Sequence, residues 1–502
     1  MESNNSRFLG EYSWDTVCLK EISLKIGSGS TPRGGESAYI PERKKFAFIR
    51  SQNVYDFKFD VSGLRFISDE DANKLKGVHL QKDDVLINIT GDGVTFSRCC
   101  LVPEEILPAA VNQHVAIIRL DKSKCLPGYL MAYLCLPETK AYIESFNAGG
   151  SRRAITKGHI ESFEIPLPPM LIQEHISRVT LGLLAKQSIN TQINQTLEQM
   201  AQALFKSWFV DFDPVVDNAL DAGFFEQDLE FSDELLRRAE ARKAARENAD
   251  FKPLSEDIRQ LFPAAFEECS EPSLGLGGWV PEGWVYDCFS ELLSSTIGGD
   301  WGKDSQDEKH TTQSRIVRGT DIPDLISGQL SNAPLRWVDP KKLQSRQIEA
   351  GDIIIEVSGG SPTQSTGRSI FMTQSILNRL GGVVEPASFC RRFKPKSFCL
   401  GVLASLHLQA IYSDGKMWEY QNQSTGIANF QTKFFLEAER VLMPSDKVLE
   451  NFCQIVTPLI EKSQNSEQVA LAKLRDTLLP KLISGELCIG DGEFDTADEV
   501  LA

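Results

Sequence analysis

Arg98 and Arg368 each follow a glycine turn, ITGDG (89–93) in one place and VSGGS (357–361) in the other. Each turn closes an apolar, strand-like stretch, VLIN or IIIE. Arg50 and Asn53 sit in FIRSQNV (48–54), and Arg318 and Asp321 in IVRGTDI (316–322). A guanidinium offers a planar fork of donors, and an amide side chain offers a donor beside an acceptor. Both suit the recognition of a fixed hydrogen-bonding edge. Group-transfer motifs are missing: there is no H-E-x-x-H, no G-x-S-x-G and no G-x-G-x-x-G after a strand. IGGDWGKDS (297–305) fails as a phosphate loop, because Ile297 stands where the first glycine belongs and Asp304 where Ser or Thr would hold magnesium. No N/D-P-P-Y/F tetrapeptide of the amino-methyltransferase kind occurs, and the six histidines pair with no obvious nucleophile.

The elements that position these residues come twice. FIRSQNV meets IVRGTDI at a shift of 268, and LQKDDVLINITGDG (80–93) meets IEAGDIIIEVSGGS (348–361) at the same shift. Trp14 meets Trp284 at 270, and GSRRAITKGHIESFEIPLPP (150–169) meets TGIANFQTKFFLEAERVLMP (425–444) at about 276. One such match is common; an ordered series points to duplication. Each block is rich in short strand patterns and ends at a proline-marked boundary, PLPPM or LMPSD, after which a helix begins.

In the first helix Ile172, Ile176, Val179, Leu183, Ile193, Leu197, Met200 and Leu204 form a seam, with Lys186 and Asn190 in its polar middle. Val448, Phe452, Ile455, Leu459 and Val469 repeat it, with Lys462 and Ser466 in the middle. Buried polar residues of this kind fix register in coiled coils; packing of each helix on its own block is the plainer alternative. Residues 172–209 would span roughly 57 Å at about 1.5 Å per residue. ELLRRAEARKAAREN, within the connection 213–283, reads as a solvated helix face.

The chain of 502 residues has a net charge of −16, unevenly placed. Residues 14–165 hold 20 basic and 19 acidic side chains and residues 284–443 hold 17 of each. Residues 166–283 hold 10 against 20, and 444–502 hold 5 against 11. The neutral blocks can carry a basic face, whereas the acidic segments suit protein partners better than phosphates. The 11 cysteines include no C-x-x-C and read as reduced, with no zinc site. No stretch approaches a membrane span or a secretory leader, so a cytoplasmic location without membrane contact is expected.

Two non-identical blocks, each followed by a long helix, with the helix ends ALFKSWFVDFDPV and LRDTLLPKLISGEL, resemble the specificity (S) subunit of type I restriction-modification enzymes. The boundaries IPLPP and VLMPS and the phrase VPEGW (280–284) belong to the same resemblance, which covers nearly the whole chain. It implies an α+β fold: two strand-rich target recognition domains (14–169 and 284–444) separated by two long antiparallel, coiled-coil-like helices (170–212 and 445–487) in a pseudo-twofold repeat. Residues 1–13, 213–283 and 488–502 would be an extension, a connector and an acidic tail. It further implies a non-catalytic chain that reads double-stranded DNA, each domain taking half of a bipartite target, and docks two M (methyltransferase) subunits, with R (restriction/translocase) subunits completing the complex. No cofactor is expected in this chain; S-adenosylmethionine belongs on M, and ATP with magnesium on R. The helix-end residues Leu204, Phe205, Trp208, Phe209, Leu478, Leu479, Leu482 and Ile483 are then candidates for the subunit interface. Pro480 in place of Phe205, and LIS in place of SWF, put two equal docking sites in doubt. A single-chain methyltransferase-nuclease and a protein-only coiled-coil scaffold remain as alternatives.

Arginine suits guanine, and asparagine or glutamine suits adenine. The first block offers Arg33, Arg50, Gln52, Asn53, Asp92, Arg98, Gln113, Arg152, Arg153 and Lys157. The second offers Lys303, Arg315, Arg318, Asp321, Ser358, Arg368, Gln423 and Asn429. Any one of them could instead be an ordinary surface charge or a satisfied turn residue. As sets, the two glycine-turn loops and the two loops before each final strand are expected to face DNA.

Overall fold

A computed structural model describes residues 14–43, 45–147, 153–329, 331–359, 363–424 and 427–487, with the backbone alone at 423, 424 and 427. The chain divides into two units, residues 1–188 with 470–502, and residues 189–469.

In the first unit, Val85–Asn88 is buried at all four positions. An apolar run of this kind, covered on both faces, takes the interior of a sheet. It lies in an antiparallel four-stranded sheet ordered Ser23–Ser28, Val115–Leu120, Val85–Asn88, Cys99–Leu101. A three-stranded sheet, Ala109–Val111, Phe46–Ile49, Arg65–Ile67, adds one parallel pair, and Thr16–Cys18 pairs with Glu164–Pro166.

The second unit repeats this frame. Ile353–Glu356 is again buried throughout, in the order Leu293–Gly298, Cys390–Pro395, Ile353–Glu356, Ser369–Phe371. Val384–Pro386, Thr312–Val317 and Leu335–Val338 form the smaller sheet with its parallel pair, and Val285–Cys288 pairs with Arg440–Met443. The glycines that permit closest approach also correspond. A Cβ on Gly29 would lie 2.1 Å from the Asn112 carbonyl oxygen, and one on Gly299 would lie 2.0 Å from that of Pro386. Only glycine fits there.

The helix Met170–Phe209 is 40 residues long. In the first unit its Ile176 and Leu183 are buried, and Leu479, Leu482 and Ile483 join the Ile176 core. In the second unit Trp208 meets Phe452 at 5.5 Å while Gln468 Nε2 donates to Thr191 Oγ1 at 2.9 Å, so that stretch runs antiparallel to 446–469.

The expected seam needs correcting beyond residue 189. Asn190 is buried in its seam place, but Ile193 and Met200 are exposed, 43% and 48%, while Asn194, off the seam, is buried. A helix of 3.6 residues per turn drifts off a 3.5-residue stripe unless it supercoils, so the buried face moves to other positions. The second helix is also two helices, Asp446–Ser463 and Glu467–Ser484. At the break the Asn465 side chain accepts Glu467 N at 3.0 Å, and the Gln464 carbonyl, freed from helix pairing, accepts Arg379 Nη1 at 3.0 Å.

The connector 213–283 is folded into the second unit. Helix Asp213–Asp221 presents Asp213, Asp217 and Asp221 at four-residue spacing, and Asp233–Arg246 answers with Arg238, Arg242 and Arg246. Asp217 Oδ1 accepts Arg242 Nε at 3.0 Å, and Asp221 Oδ1 accepts Arg246 Nη2 at 2.6 Å. The basic run expected to face solvent is one side of an ion-pair ladder. The described cysteines are free, among the described residues no His/Cys/Asp/Glu group is arranged to hold a metal, and no described helix is long and apolar enough to cross a membrane.

Candidate nucleic-acid interface

Each unit brings its glycine turn against the segment that precedes its last strand. Thr90–Gly91 pairs antiparallel with Arg153–Ala154, and Ser358–Gly359 pairs with Ile427–Phe430. The two kinds of loop singled out in the sequence are therefore neighbours in both units. Gln113 and Ser388 lie exposed on the adjoining loops.

The turns are shaped from within. Asp92 Oδ1 accepts Thr95 N and Thr95 Oγ1, each at 2.8 Å, and Val94 N at 3.1 Å. These bonds hold its carboxyl below the usual carboxylate range. Asp92 thus shapes the turn while remaining exposed. Arg98 lies 4.1 Å over the Tyr55 ring, leaving both at the surface.

Four further candidates belong to the frame. Asn53 is 0% exposed; its Oδ1 accepts Arg50 N at 3.0 Å and its Nδ2 donates to the Asp60 carbonyl at 2.9 Å. Asp321 repeats the role, accepting Arg318 N at 2.9 Å, while Arg318 Nε and Nη2 grip the same carboxylate at 2.9 and 2.8 Å. Burial disfavours that charge, yet the arginine keeps the Asp321 carboxyl below its ordinary value. Arg368 donates from Nε and Nη2 to both oxygens of buried Glu356, each at 2.9 Å. Its hydrogen bonds to Glu356 raise its pKa. Asn53 and Asp321 are buried and spend their polar atoms inside the frame, which corrects them to positioning roles, while Arg318 and Arg368 commit Nε and Nη2 to internal carboxylates.

Other candidates have partners but keep surface. Arg50 Nη2 donates to the Gly63 carbonyl at 2.8 Å, and Arg315 Nη1 to that of Ala333 at 3.0 Å. Arg153 is ion-paired to Glu144, and Lys157 lies 3.4 Å from Glu161. Gln113 accepts from Thr31 Oγ1 at 3.2 Å, and Ser358 Oγ donates to Asn429 Oδ1 at 2.9 Å. Arg33, Gln52 and Lys303 are exposed. Arg152 and the Gln423 side chain lie outside the described residues. Sequence reading missed the exposed rings of Tyr55, Trp301 and Phe389. Aligning the halves across their small insertions would have placed Phe389 opposite His114.

The helix ends also need correcting. Phe205, Trp208 and Phe209 belong to the core of the second unit, where Trp208 meets Phe262 edge-on at 4.8 Å and Phe209 meets Trp284 at 6.1 Å. Leu479, Leu482 and Ile483 belong to the core of the first, where Trp14 Nε1 donates to the Ile483 carbonyl at 2.9 Å. Leu204 and Leu478 are half-buried against the same cores. These side chains seat the helix on its own fold and present no open docking face. The two lysines inside the ends each meet an acid five residues on, Lys206 at 2.6 Å from Asp211 Oδ1 and Lys481 at 3.4 Å from Glu486.

Residues 12–199 match the family described as the type I restriction modification DNA specificity domain. The type I restriction enzyme HindI specificity subunit of Haemophilus influenzae is 26% identical over 489 residues, covering 94% of this chain and 99% of that one. The MjaIX specificity subunit of Methanocaldococcus jannaschii is 22% identical, covering 94% and 93%. Among solved structures, the type I restriction-modification S subunit from M. genitalium aligns over 96% of this chain and 98% of its own, with 12% identity and a TM-score of 0.44. The chain thus carries a match to the specificity domain over residues 12–199 and is similar from end to end to specificity subunits of type I restriction-modification enzymes.

Proposed function

We propose that this chain chooses the DNA sequence on which a type I restriction-modification complex acts, its first unit reading one half of a bipartite target and its second the other. One observation carries this reading. Two folds with a single strand order bring the same pair of loops together while carrying different side chains on them. A common frame with changed polar groups is what two unlike half-sites require.

The chain is non-catalytic, and its partners are double-stranded DNA, two M subunits and R subunits in the cytoplasm. S-adenosylmethionine sits on M, and ATP with magnesium on R. The near-neutral blocks leave much of the phosphate binding to those partners. Docking of M along the long helix is supported by Ile189, Ile193 and Met200, exposed on one face at steps of four and seven residues.

The test is methylome sequencing of a methylation-free host that expresses the chain with its M subunit. A bipartite motif is expected, with Gln52→Ala relaxing one half and Asn429→Ala the other. If no motif appears while both proteins are soluble and associated, the proposal falls.

A further inference from the structure

Phe389 stands on the loop before the Cys390–Pro395 strand and is 66% exposed. Three backbone hydrogen bonds fix that loop: Phe389 O accepts Val357 N at 2.8 Å, Cys390 O accepts Gly299 N at 3.0 Å, and Pro386 O accepts Asp300 N at 3.0 Å. The first unit has all three. His114 O accepts Ile89 N at 3.0 Å, Val115 O accepts Gly29 N at 2.9 Å, and Val111 O accepts Ser30 N at 3.1 Å. Phe389 therefore fills in the second unit the place that His114 fills in the first.

That place borders the candidate reading surface in both units. Val357 leads directly into Ser358, which is bonded to Asn429, and Ile89 leads into Thr90, whose Oγ1 lies 2.6 Å from His114 Nδ1. The two side chains differ in kind, an imidazole tied into a polar surface against a bare phenyl ring. Trp301, Phe398 and Phe434, also exposed, have neighbours: Arg336 lies 5.0 Å over Trp301, Phe398 is 5.4 Å from Phe371, and Phe434 is 5.8 Å from Tyr420. Phe389 has no ring or cation partner among the described residues. Nothing in the fold gains from an apolar ring there, because its area stays in water.

We infer that Phe389 is a specificity-determining residue that contacts the 5-methyl group of a thymine, the apolar group on the major-groove edge of a base pair. His114, at the matching place, turns a polar group to the first half-site. This inference rests on the DNA-specificity reading given above.

The experiment uses the assembled complex with its M subunit and duplexes of the recovered motif in which each thymine of the second half-site is replaced singly by deoxyuridine, which lacks the methyl. One replacement is expected to weaken binding about fourfold, the factor that burial of one methyl-sized group supplies. Phe389→Ala should abolish that sensitivity and Phe389→Leu retain part of it, with the first half-site unchanged. Phe389→Ala removes no core contact, and mass measurement of the complex verifies that it assembles. A wild type indifferent to every replacement, a second half-site with no required A·T pair, or an alanine variant with full sensitivity overturns the inference. A wild-type complex with no bipartite motif overturns instead the reading on which it rests.

Discussion

At the end of its central strand the first unit places Asn88, whose amide donates to the carbonyls of Ser51 and Thr95 at 2.9 and 3.0 Å, whereas the second unit places Glu356, held by Arg368. The capping position behaves the same way: Asn53 accepts Arg50 N in one unit and Asp321 accepts Arg318 N in the other. The frame keeps its hydrogen bonds while amide is exchanged for carboxylate. Each buried carboxylate then demands a cation, and Arg318 and Arg368 answer it. The first unit's amides make no such demand, and Arg50 and Arg98 turn instead to the Gly63 carbonyl and the Tyr55 ring.

The comparison is broken most sharply at the two strand ends. Glu356→Ala should cost the second unit about 3 kcal/mol, because Arg368, only 19% exposed, is left without its carboxylate. Asn88→Ala should cost the first about 1–3 kcal/mol. Calorimetry or hydrogen exchange that resolves the two units measures both, and equal losses would refute the distinction.

Acid should separate the units next. Burial disfavours the Glu439 charge, but hydrogen bonds from His407, Lys416 and Tyr420 hold its carboxyl down at about 2. With a folded value below the ordinary 4.5, its contribution is present above pH 4.5 and is lost as pH falls toward 2, on the order of 3 kcal/mol in all. Of the lowered acids of the first unit, Asp92 is exposed and Asp121 half-exposed, and both contribute little. Acid titration followed by hydrogen exchange should therefore open the second unit first.

Glu385 has the opposite sign. Buried with Oε1 unpartnered, it is raised to about 7, so its stability is present below pH 4.5 and is lost as pH rises through 7. Glu385→Gln should raise the second unit's melting at pH 8, by roughly 1–3 kcal/mol, and leave it little changed at pH 5. No gain at pH 8 would count against the buried carboxylate. The smallest effect belongs to the helix ends: Lys206→Ala and Lys481→Ala should each cost no more than about 1 kcal/mol, since both pairs are solvent-exposed. A larger loss in either would mark that pair as more than a surface contact.

The repeat was legible because it is written in burial. VLIN and IIIE must sit inside a sheet, and their shift of 268 places every other strand by order. The loops were legible as sets, since strand, glycine turn and proline boundary fix where they meet. Individual roles were not. Asn53, Arg318 and Arg368 have the residue types of base readers, and only the carbonyls and carboxylates around them reveal how many of their hydrogen bonds the frame takes. The helix seam failed for a related reason. Which face of 189–209 is buried depends on a partner helix distant in sequence, and there Asn194 is buried where a heptad would ask for Ile193. The ladder of Asp213, Asp217 and Asp221 against Arg238, Arg242 and Arg246 was visible as spacing but not as a pairing.

Trp14 reaching the Ile483 carbonyl has a consequence for birth on the ribosome. The second unit is one continuous stretch, 189–469, and all of its side chains are available once that stretch has emerged. The first unit must wait. Its apolar core lacks Leu479, Leu482 and Ile483 until the whole of the second unit has been made. At about 5–20 residues per second this delay lasts roughly tens of seconds. Throughout it, residues 14–188 hold an incomplete hydrophobic surface, so chaperone dependence and truncation sensitivity should concentrate in the half of the protein that is synthesised first.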